Sequence, residues 1–319
     1  MHDCNKLLDA IERFITKADD DLEDVLEAEG FVEPGKTVER ITQIEDAITE
    51  ALKEETELFV SAAEGALDLE EFADKIWPGV KLDDQSAEKL TEIFKEQLQE
   101  FLPQLIEPYL QLTDKDLSLL SVTKRTTAWV ESWSAELGSL MKLTSHTQLE
   151  SILKKNLEDG NGIQDFVLDI QNSGIRNEYY RARATAVTEA LRAHSVAQEE
   201  AIQQSPAVEE KEWVHTGSWG NHPRPNHQAI SGQIVKKTDP FILTGRDGST
   251  YYPQYPRDAS LPASESVHCH CIHRGIVSEK ILGLSLEERR RLQEEAIAEM
   301  DDAWENELDA KNKAKAGIE

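Results

Sequence analysis

The fold class is decided by the stretch Ala197-Gln-Glu-Glu-Ala-Ile-Gln-Gln-Ser-Pro206, where a helical pattern ends. Upstream of it, alanine recurs every two to four residues from Ala182 onward, and alanine is the best helix former. Pro206 has no amide hydrogen and does not continue a helix. The sequence therefore predicts a long helix over residues 175–204 and a different kind of structure after it.

The segment from Lys211 to Gly275 differs in composition from the rest of the chain. It holds six of the nine histidines and six of the eleven prolines. Short β-type runs at residues 233–235 and 241–243, with a turn at 245–248, predict brief strands joined by loops. We expect a small, loop-rich α+β module here.

Helical patterns flank this module on both sides. Apolar residues recur at intervals of three and four over residues 3–28, 37–67 and 90–102, which is typical of amphipathic helices. Pro103 and Pro108 are expected to kink or end the third of these helices, and a helix end is expected near residues 172–174. After Gly275 the helical pattern resumes, and Ser285 with Glu288 predicts a capping box.

Together these patterns predict an α+β fold that is mostly helical. The chain divides into a helical, acidic N-terminal region (residues 1–145), a central domain (146–278), and a C-terminal helix with a tail (279–319).

The chain is strongly acidic. Its 319 residues include 62 Asp or Glu against 34 Lys or Arg, which gives a formal charge of -28. Such a field repels phosphate and excludes nucleic-acid or anionic-membrane binding over the whole surface. Residues 211–275, with seven basic and five acidic side chains, carry +2, so DNA contact through this module stays open. The candidate phosphate contacts are Lys236, Lys237, Arg246 and Arg257.

Two further classes are excluded by simple patterns. No run of about 18 apolar residues is present, which argues against a transmembrane helix, and the N-terminus lacks the pattern of a secretory signal. The three cysteines (Cys4, Cys269 and Cys271) are too few for a disulfide scaffold, so we expect a reducing compartment.

Several short motifs occur in a fixed order along residues 150–275. They are Thr188-Glu189 on the long helix, Arg224-x-x-His227 followed by Gly232, and Cys269-His-Cys271. In this order they resemble the phage head-morphogenesis family, which includes the minor head proteins similar to protein F of phage Mu. The resemblance identifies residues 146–278 as the head-morphogenesis domain. Val187, His268 and His270 stand where the family has Arg, Asn and Arg.

The resemblance implies a minor capsid protein of a tailed double-stranded DNA phage that acts without enzymatic turnover. It would work in procapsid assembly at or near the portal, with a role in DNA packaging or ejection. The implied partners are the portal protein, the scaffold or the major capsid protein. The implied location is the capsid interior of the virion, and the host cytoplasm during assembly, with no membrane association.

Cysteine and histidine cluster in the module in a way that fits zinc, which binds thiolate and imidazole ligands tetrahedrally. In an extended segment Cys269, Cys271 and His273 share one face. His227 and either His222 or His273 would complete a set of four ligands. The alternative is that both cysteines are small buried residues and the histidines make ordinary hydrogen bonds.

A metal-dependent hydrolase or nuclease, toxin-like and using the same His and Cys residues, is the alternative function. Arg224 and His227 would then bind an anion or act as an acid–base pair, whereas a structural Arg224 would bind loop carbonyls. The sequence has no phosphate-binding Gly-rich loop, no His-Glu-x-x-His and no Gly-x-Ser-x-Gly motif. Only about 45 residues follow Gly275, which leaves no room for an appended toxin domain.

Overall fold

A computed structural model describes residues 21–216 and 223–316, without the side chains of residues 174–178 and 316. The fold is α+β and mostly helical, with a few short antiparallel strands and a C-terminal helix, which confirms the predicted class. The chain forms two compact units. The first contains the described parts of residues 1–41, 100–128 and 187–319, and the second contains residues 42–99 and 129–186.

Long helices make up most of the described chain, after a first helical segment at residues 21–28. In chain order they are α1 (Pro34–Glu64), α2 (Leu69–Glu71), a π-helical turn (Phe72–Ile76), α3 (Trp77–Asp83), α4 (Ser86–Thr113), α5 (Lys124–Asp159) and α6 (Ile163–Gln204). The helices that follow are α7 (Pro225–Ala229), α8 (Ala263–Ser266), α9 (Glu279–Leu282) and α10 (Leu286–Ala316). None of these helices has the length and apolar character that crossing a bilayer requires.

Five short strands follow α6. They are β1 (Val208–Val214), β2 (Ile234–Lys236), β3 (Leu243–Thr244), β4 (Thr250–Tyr251) and β5 (Ile272–Val277). β1 is the central strand of an antiparallel sheet in the order β2-β1-β5, and β3 pairs with β4 in a separate hairpin. The register pairs Val214 with Ile272 at the end of β1.

The second half of α6 is the buried axis of the first unit. Ala190, Ala193 and Ala197 are completely buried, because their small side chains let other elements approach this helix closely. His194 lies between the Thr37 hydroxyl, 2.7 Å from Nε2, and the Tyr109 hydroxyl, 2.9 Å from Nδ1. Burial lowers the pKa of His194 to about 3, so this imidazole is a neutral part of the core.

The second unit has an aromatic core. Phe59 and Trp77 meet edge to face with ring centroids 5.5 Å apart, and Phe72 meets Phe166 in the same way at 5.1 Å. Leu149 from α5 is buried in the same cluster. These contacts explain why the apolar residues predicted as helix stripes point inward.

The predicted helix end near residues 172–174 is wrong, and α4 does not end at either of its prolines. α4 runs through both Pro103 and Pro108, and α6 runs through residues 172–174 without ending. Proline inside a helix costs about 3 kcal/mol, but the residues around Pro103, among them Phe101 and Leu105, are completely or almost completely buried. The packing of this face outweighs the lost backbone hydrogen bond.

The start of α10 confirms the N-cap half of the predicted capping box, because the Glu288 amide donates to the Ser285 hydroxyl at 3.2 Å. Arg289, in the first turn, is buried and donates to the carboxylates of Asp114 and Asp116. These ion pairs offset the unfavourable position of a cation near a helix N-terminus.

Candidate functional site

The candidate site lies in the small module, where three segments of chain meet. Arg224 is the extended N-cap residue of α7 and Pro225 occupies the first turn, which starts the helix that carries His227. Cys269 and Cys271 lie directly before β5, and their alternation along the chain directs both thiols to one side. All three of these ligand-type side chains are buried.

The donor atoms of the three residues converge. Nδ1 of His227 lies 3.5 Å from Sγ of Cys269 and 3.5 Å from Sγ of Cys271, and all three donor atoms lie within 4.8 Å of one another. Trp213 and Phe241 are completely buried against the two cysteines and form the small apolar core of the module. Both cysteines are free thiols.

Glu265 orients the imidazole of His227. Oε2 of Glu265 lies 2.9 Å from Nε2 of His227, and both side chains are buried. Burial opposes the charge of Glu265, but hydrogen bonds from the Arg246 amide, Asn226 and His227 outweigh it and lower the pKa of this carboxyl. An ionised carboxylate accepts only, so Nε2 of His227 carries the hydrogen and Nδ1 presents its lone pair to the sulfurs.

The two thiols share a polar environment. The hydrogen bond from Cys271 and the nearby Arg257 guanidinium lower the pKa of Cys269, while burial opposes them. The same hydrogen bond, together with burial, raises the pKa of Cys271, so negative charge is favoured on one of the two sulfurs.

Arg257 holds the backbone of the cysteine pair. Its guanidinium, which is buried, donates to the carbonyl oxygens of Cys269 and Cys271, to the Leu191 carbonyl and to the Ser195 hydroxyl. Arg257 has a φ of 64°, in the left-handed region that side chains rarely adopt. The surrounding contacts therefore stabilise a strained residue at this point.

The helix motif connects to the same network. Glu189 forms a buried ion pair with Arg192 at 3.0 Å, and Arg192 donates to the carbonyl oxygen of Arg257. Thr188 accepts a hydrogen bond of 3.5 Å from the His268 amide. Thr188 and Glu189 thus stabilise the cysteine segment from α6, about 80 residues earlier in the chain.

The remaining motif residues shape the loops around the site. Arg224 donates through Nε to the Ser264 carbonyl at 3.0 Å and through its second nitrogen to the Val267 carbonyl, which is the structural role considered from the sequence. Gly232 has a φ of 86°, and its amide donates to the Trp213 carbonyl at 2.8 Å. Glycine adopts this conformation without strain.

The structure does not bring every predicted ligand to the cysteines. Among the described residues, the group of close donor atoms leaves out His273, whose Nε2 lies 3.0 Å from Oε2 of Glu199. Glu199 also binds Lys211, which is completely buried. His273 shares the face of Cys271 but lies two residues further along the chain, next to the ion pair of Glu199 and Lys211. His222 lies outside the described residues.

His215 takes a place that the sequence did not assign to it. The register of β1 and β5 pairs Val214 with Ile272, which carries His215 next to Cys271. Nδ1 of His215 lies 3.4 Å from Sγ of Cys271, but His215, like His273, lies outside the group of donor atoms that are all within 4.8 Å of one another.

Two of the predicted phosphate contacts are engaged inside the protein. Arg257 is buried, as described, and Lys237 donates to the carbonyl oxygens of Gln203 and Ser205 at 3.1 Å each. Lys236 and Arg246 are exposed.

Sequence reasoning missed the supporting residues Glu265, Arg192 and His215. Glu189 and Arg192 are spaced i, i+3 on one helix, which is a signal for an ion pair. Glu265 and His215 carry no comparable local signal, because their contacts depend on how the loops and strands meet.

Comparison with known proteins agrees with the motifs. The family model described as Phage Mu protein F like protein matches residues 147–274. The uncharacterized protein YqbB of Bacillus subtilis (strain 168) is 32% identical over 309 residues, which cover 94% of this chain and 100% of that protein. No solved structure matches this chain. The chain belongs to the Phage Mu protein F like family, a family of phage head proteins.

Proposed function

We propose that this chain is a minor structural component of a phage head that acts by binding, without turnover, during procapsid assembly at or near the portal. The supporting observation is the burial of its motif. Each of the side chains of Thr188, Glu189, His227, Cys269 and Cys271 is at most 4% exposed. An enzyme's reactive atoms have to meet its substrate, whereas these atoms hold the module together.

Charge supports a protein partner for the helical parts. Outside residues 211–275 the chain carries a formal charge of -30, and such a surface would repel packaged DNA. The portal protein, the scaffold or the major capsid protein is therefore the proposed partner, and the capsid interior the proposed location. Any DNA contact during packaging or ejection would fall on the nearly neutral module, with Lys236, Arg246 and Arg274 among its exposed cations.

A protein inventory of purified procapsids and virions tests this role. We expect the chain in few copies per particle in both, and fewer infectious particles when its gene is deleted, with recovery on complementation. Absence from both particles together with normal heads in the deletion strain would refute the proposal. Cross-linking within procapsids identifies which head protein it contacts.

A nuclease assay separates this role from the hydrolase alternative. The full chain is incubated with DNA and RNA in the presence of Mg²⁺, Mn²⁺ or Zn²⁺, beside a His227→Ala variant. We expect no cleavage by either protein. Cleavage by the wild type that His227→Ala abolishes would establish the enzyme instead.

A further inference from the structure

We propose that Cys269, Cys271, His227 and His215 form a structural zinc site. In this site Glu265 orients the imidazole of His227. The inference stands on the geometry of the module and does not depend on the role in the phage head.

The distances between donor atoms match tetrahedral zinc. Zinc–sulfur and zinc–nitrogen bonds of about 2.3 Å and 2.0–2.1 Å, at tetrahedral angles, place a sulfur and a nitrogen about 3.5 Å apart. Three of the four sulfur–nitrogen distances fit this value: 3.5 Å from His227 to Cys269, 3.5 Å from His227 to Cys271, and 3.4 Å from His215 to Cys271. His215 lies outside the group of mutually close donor atoms and has to move toward them to complete the set. A set of thiolate and imidazole donors binds zinc in preference to magnesium or calcium.

The support around His227 is that of a metal ligand. An imidazole that binds zinc through one nitrogen usually donates from the other to a carboxylate, which sets its tautomer and orientation. Glu265 is that carboxylate, at 2.9 Å from Nε2, and it is itself held by the Arg246 amide at 2.9 Å and by Asn226 at 2.9 Å. The lone pair of Nδ1 is left facing both sulfurs.

The module also has a reason to need a metal. Its core cluster contains four buried residues, Trp213, Phe241, Cys269 and Cys271, of which two are the proposed ligands. Zinc that joins β1, α7 and the segment before β5 would cross-link three parts of the chain that otherwise share this small core. Metal binding would thus contribute directly to the stability of the module.

His215 is assigned as the fourth ligand because its Nδ1 lies 3.4 Å from Sγ of Cys271. His273 binds Glu199, whereas His215 faces Cys271 across the sheet. Its own amide donates to the Ser231 hydroxyl at 3.1 Å, which fixes the backbone at this position.

Metal analysis of the full chain, purified without chelator, tests the site. We expect one zinc per chain. Cys269→Ser and Cys271→Ser are expected to lose it, and Cys4→Ser, which removes the remaining cysteine, is the matched control and is expected to keep it. Less than about 0.2 zinc per chain in the wild type after dialysis against zinc would overturn the proposal.

Cobalt substitution and thiol reactivity keep the test valid if a variant fails to fold. Added to the metal-free wild-type chain, Co²⁺ should give the charge-transfer and visible bands of a tetrahedral site with two thiolates. The two buried thiols should resist a thiol reagent until chelator is added. Octahedral cobalt spectra, or a Cys269–Cys271 disulfide in freshly purified protein, would contradict the site.

The histidine assignment has its own test. His215→Ala should weaken zinc binding at least tenfold and change the cobalt spectrum, while His273→Ala should leave the cobalt spectrum unchanged. The reverse result would replace His215 by His273 as the fourth ligand and refute that part of the proposal.

Discussion

Two groups of metal-ligand side chains, one in each unit of the molecule, differ in what their donor atoms already bind. His227, Cys269 and Cys271 form one group, and Glu55, Asp84 and His146 form the other. In both, the donor atoms lie within 4.8 Å of one another.

The acidic group is satisfied by the protein itself. Oδ2 of Asp84 lies 2.6 Å from Nε2 of His146, and Oδ1 accepts from the Ser86 amide at 2.8 Å. Glu55 accepts from the Ser86 hydroxyl at 2.9 Å. Burial, with a smaller contribution from the charge of Asp84, raises the pKa of Glu55 to about 7.

The cysteine group lacks such partners of equal strength. Its sulfurs meet each other and imidazole nitrogens, which form weak hydrogen bonds with thiols, while the strong carboxylate of Glu265 lies on the far side of His227. Proximity of ligand atoms therefore indicates a metal site only where their lone pairs remain directed at a common point.

Arg257→Ala is expected to have the largest effect and to destabilise the first unit. It leaves the buried carbonyl oxygens of Cys269 and Cys271 without their donor, which should cost about 1–3 kcal/mol for each in the free energy of unfolding. Denaturant unfolding measures the loss. Arg274→Ala, on an exposed side chain that pairs with Glu212, is the control and should change the stability by at most about 0.5 kcal/mol. Equal losses in both variants would contradict the role of Arg257.

Glu55→Gln should change the pH dependence of stability in the second unit. The pKa of Glu55 in the folded protein is about 7, above the ordinary 4.5, so the folded state holds this proton more tightly. The contribution of Glu55 to the free energy of unfolding is therefore complete below pH 4.5. It is lost as the pH rises through 7, by up to about 3 kcal/mol.

The measurement is urea unfolding at pH 5 and pH 8. Relative to wild type, Glu55→Gln should gain stability at pH 8 and change little at pH 5, because the amide resembles the protonated acid. Glu50→Gln, on an exposed residue of α1, should follow the wild type at both values. A Glu55 variant with the wild-type pH dependence would show that the carboxyl titrates normally.

Glu265→Gln tests whether Glu265 orients His227 for zinc binding at the cysteine group. The glutamine side chain has an NH₂ group in place of one carboxylate oxygen, and this group can face the Asn226 and His227 donors. His227 then loses part of what fixes its orientation. We expect a 10–100-fold weaker zinc affinity with one zinc still bound at saturation. Competition with a chromogenic chelator measures the affinity. An unchanged affinity would remove Glu265 from the site, and His146→Gln in the acidic group should leave zinc binding unaffected.

The smallest effect is expected to be equal in the two regions. Gly160 and Gly232 have φ values of 69° and 86°, and an added Cβ would meet no atom within 4 Å at either. Alanine at each should cost about 1–2 kcal/mol from the backbone alone and leave zinc binding intact. Gly79→Ala, inside α3, should instead be neutral or slightly stabilising. Thermal unfolding compares the three, and a loss of zinc with Gly232→Ala would show that this turn positions the ligands.

Local signals predicted part of the fold correctly. The end of α6 at Gln204 and the capping box at Ser285 follow from residues next to one another. The turn between the β3 and β4 strands follows from Gly245 and Gly248 in the same way. The helix does not end at Pro103 or Pro108, because the packing of the neighbouring apolar residues decides there, and packing cannot be seen in a local window.

By itself, the sequence determined that this is a mostly helical protein with a small module rich in histidine, proline and cysteine, and that Thr188, His227 and Cys269 belong to a head-protein motif. Only the tertiary structure decided which of its groups meet. The β1–β5 register brings His215 to Cys271, α8 brings Glu265 to His227, and a strained loop brings Arg257 beneath the cysteine pair. Composition and periodicity act over neighbouring residues, whereas these contacts join residues up to 56 positions apart and depend on how the whole module packs.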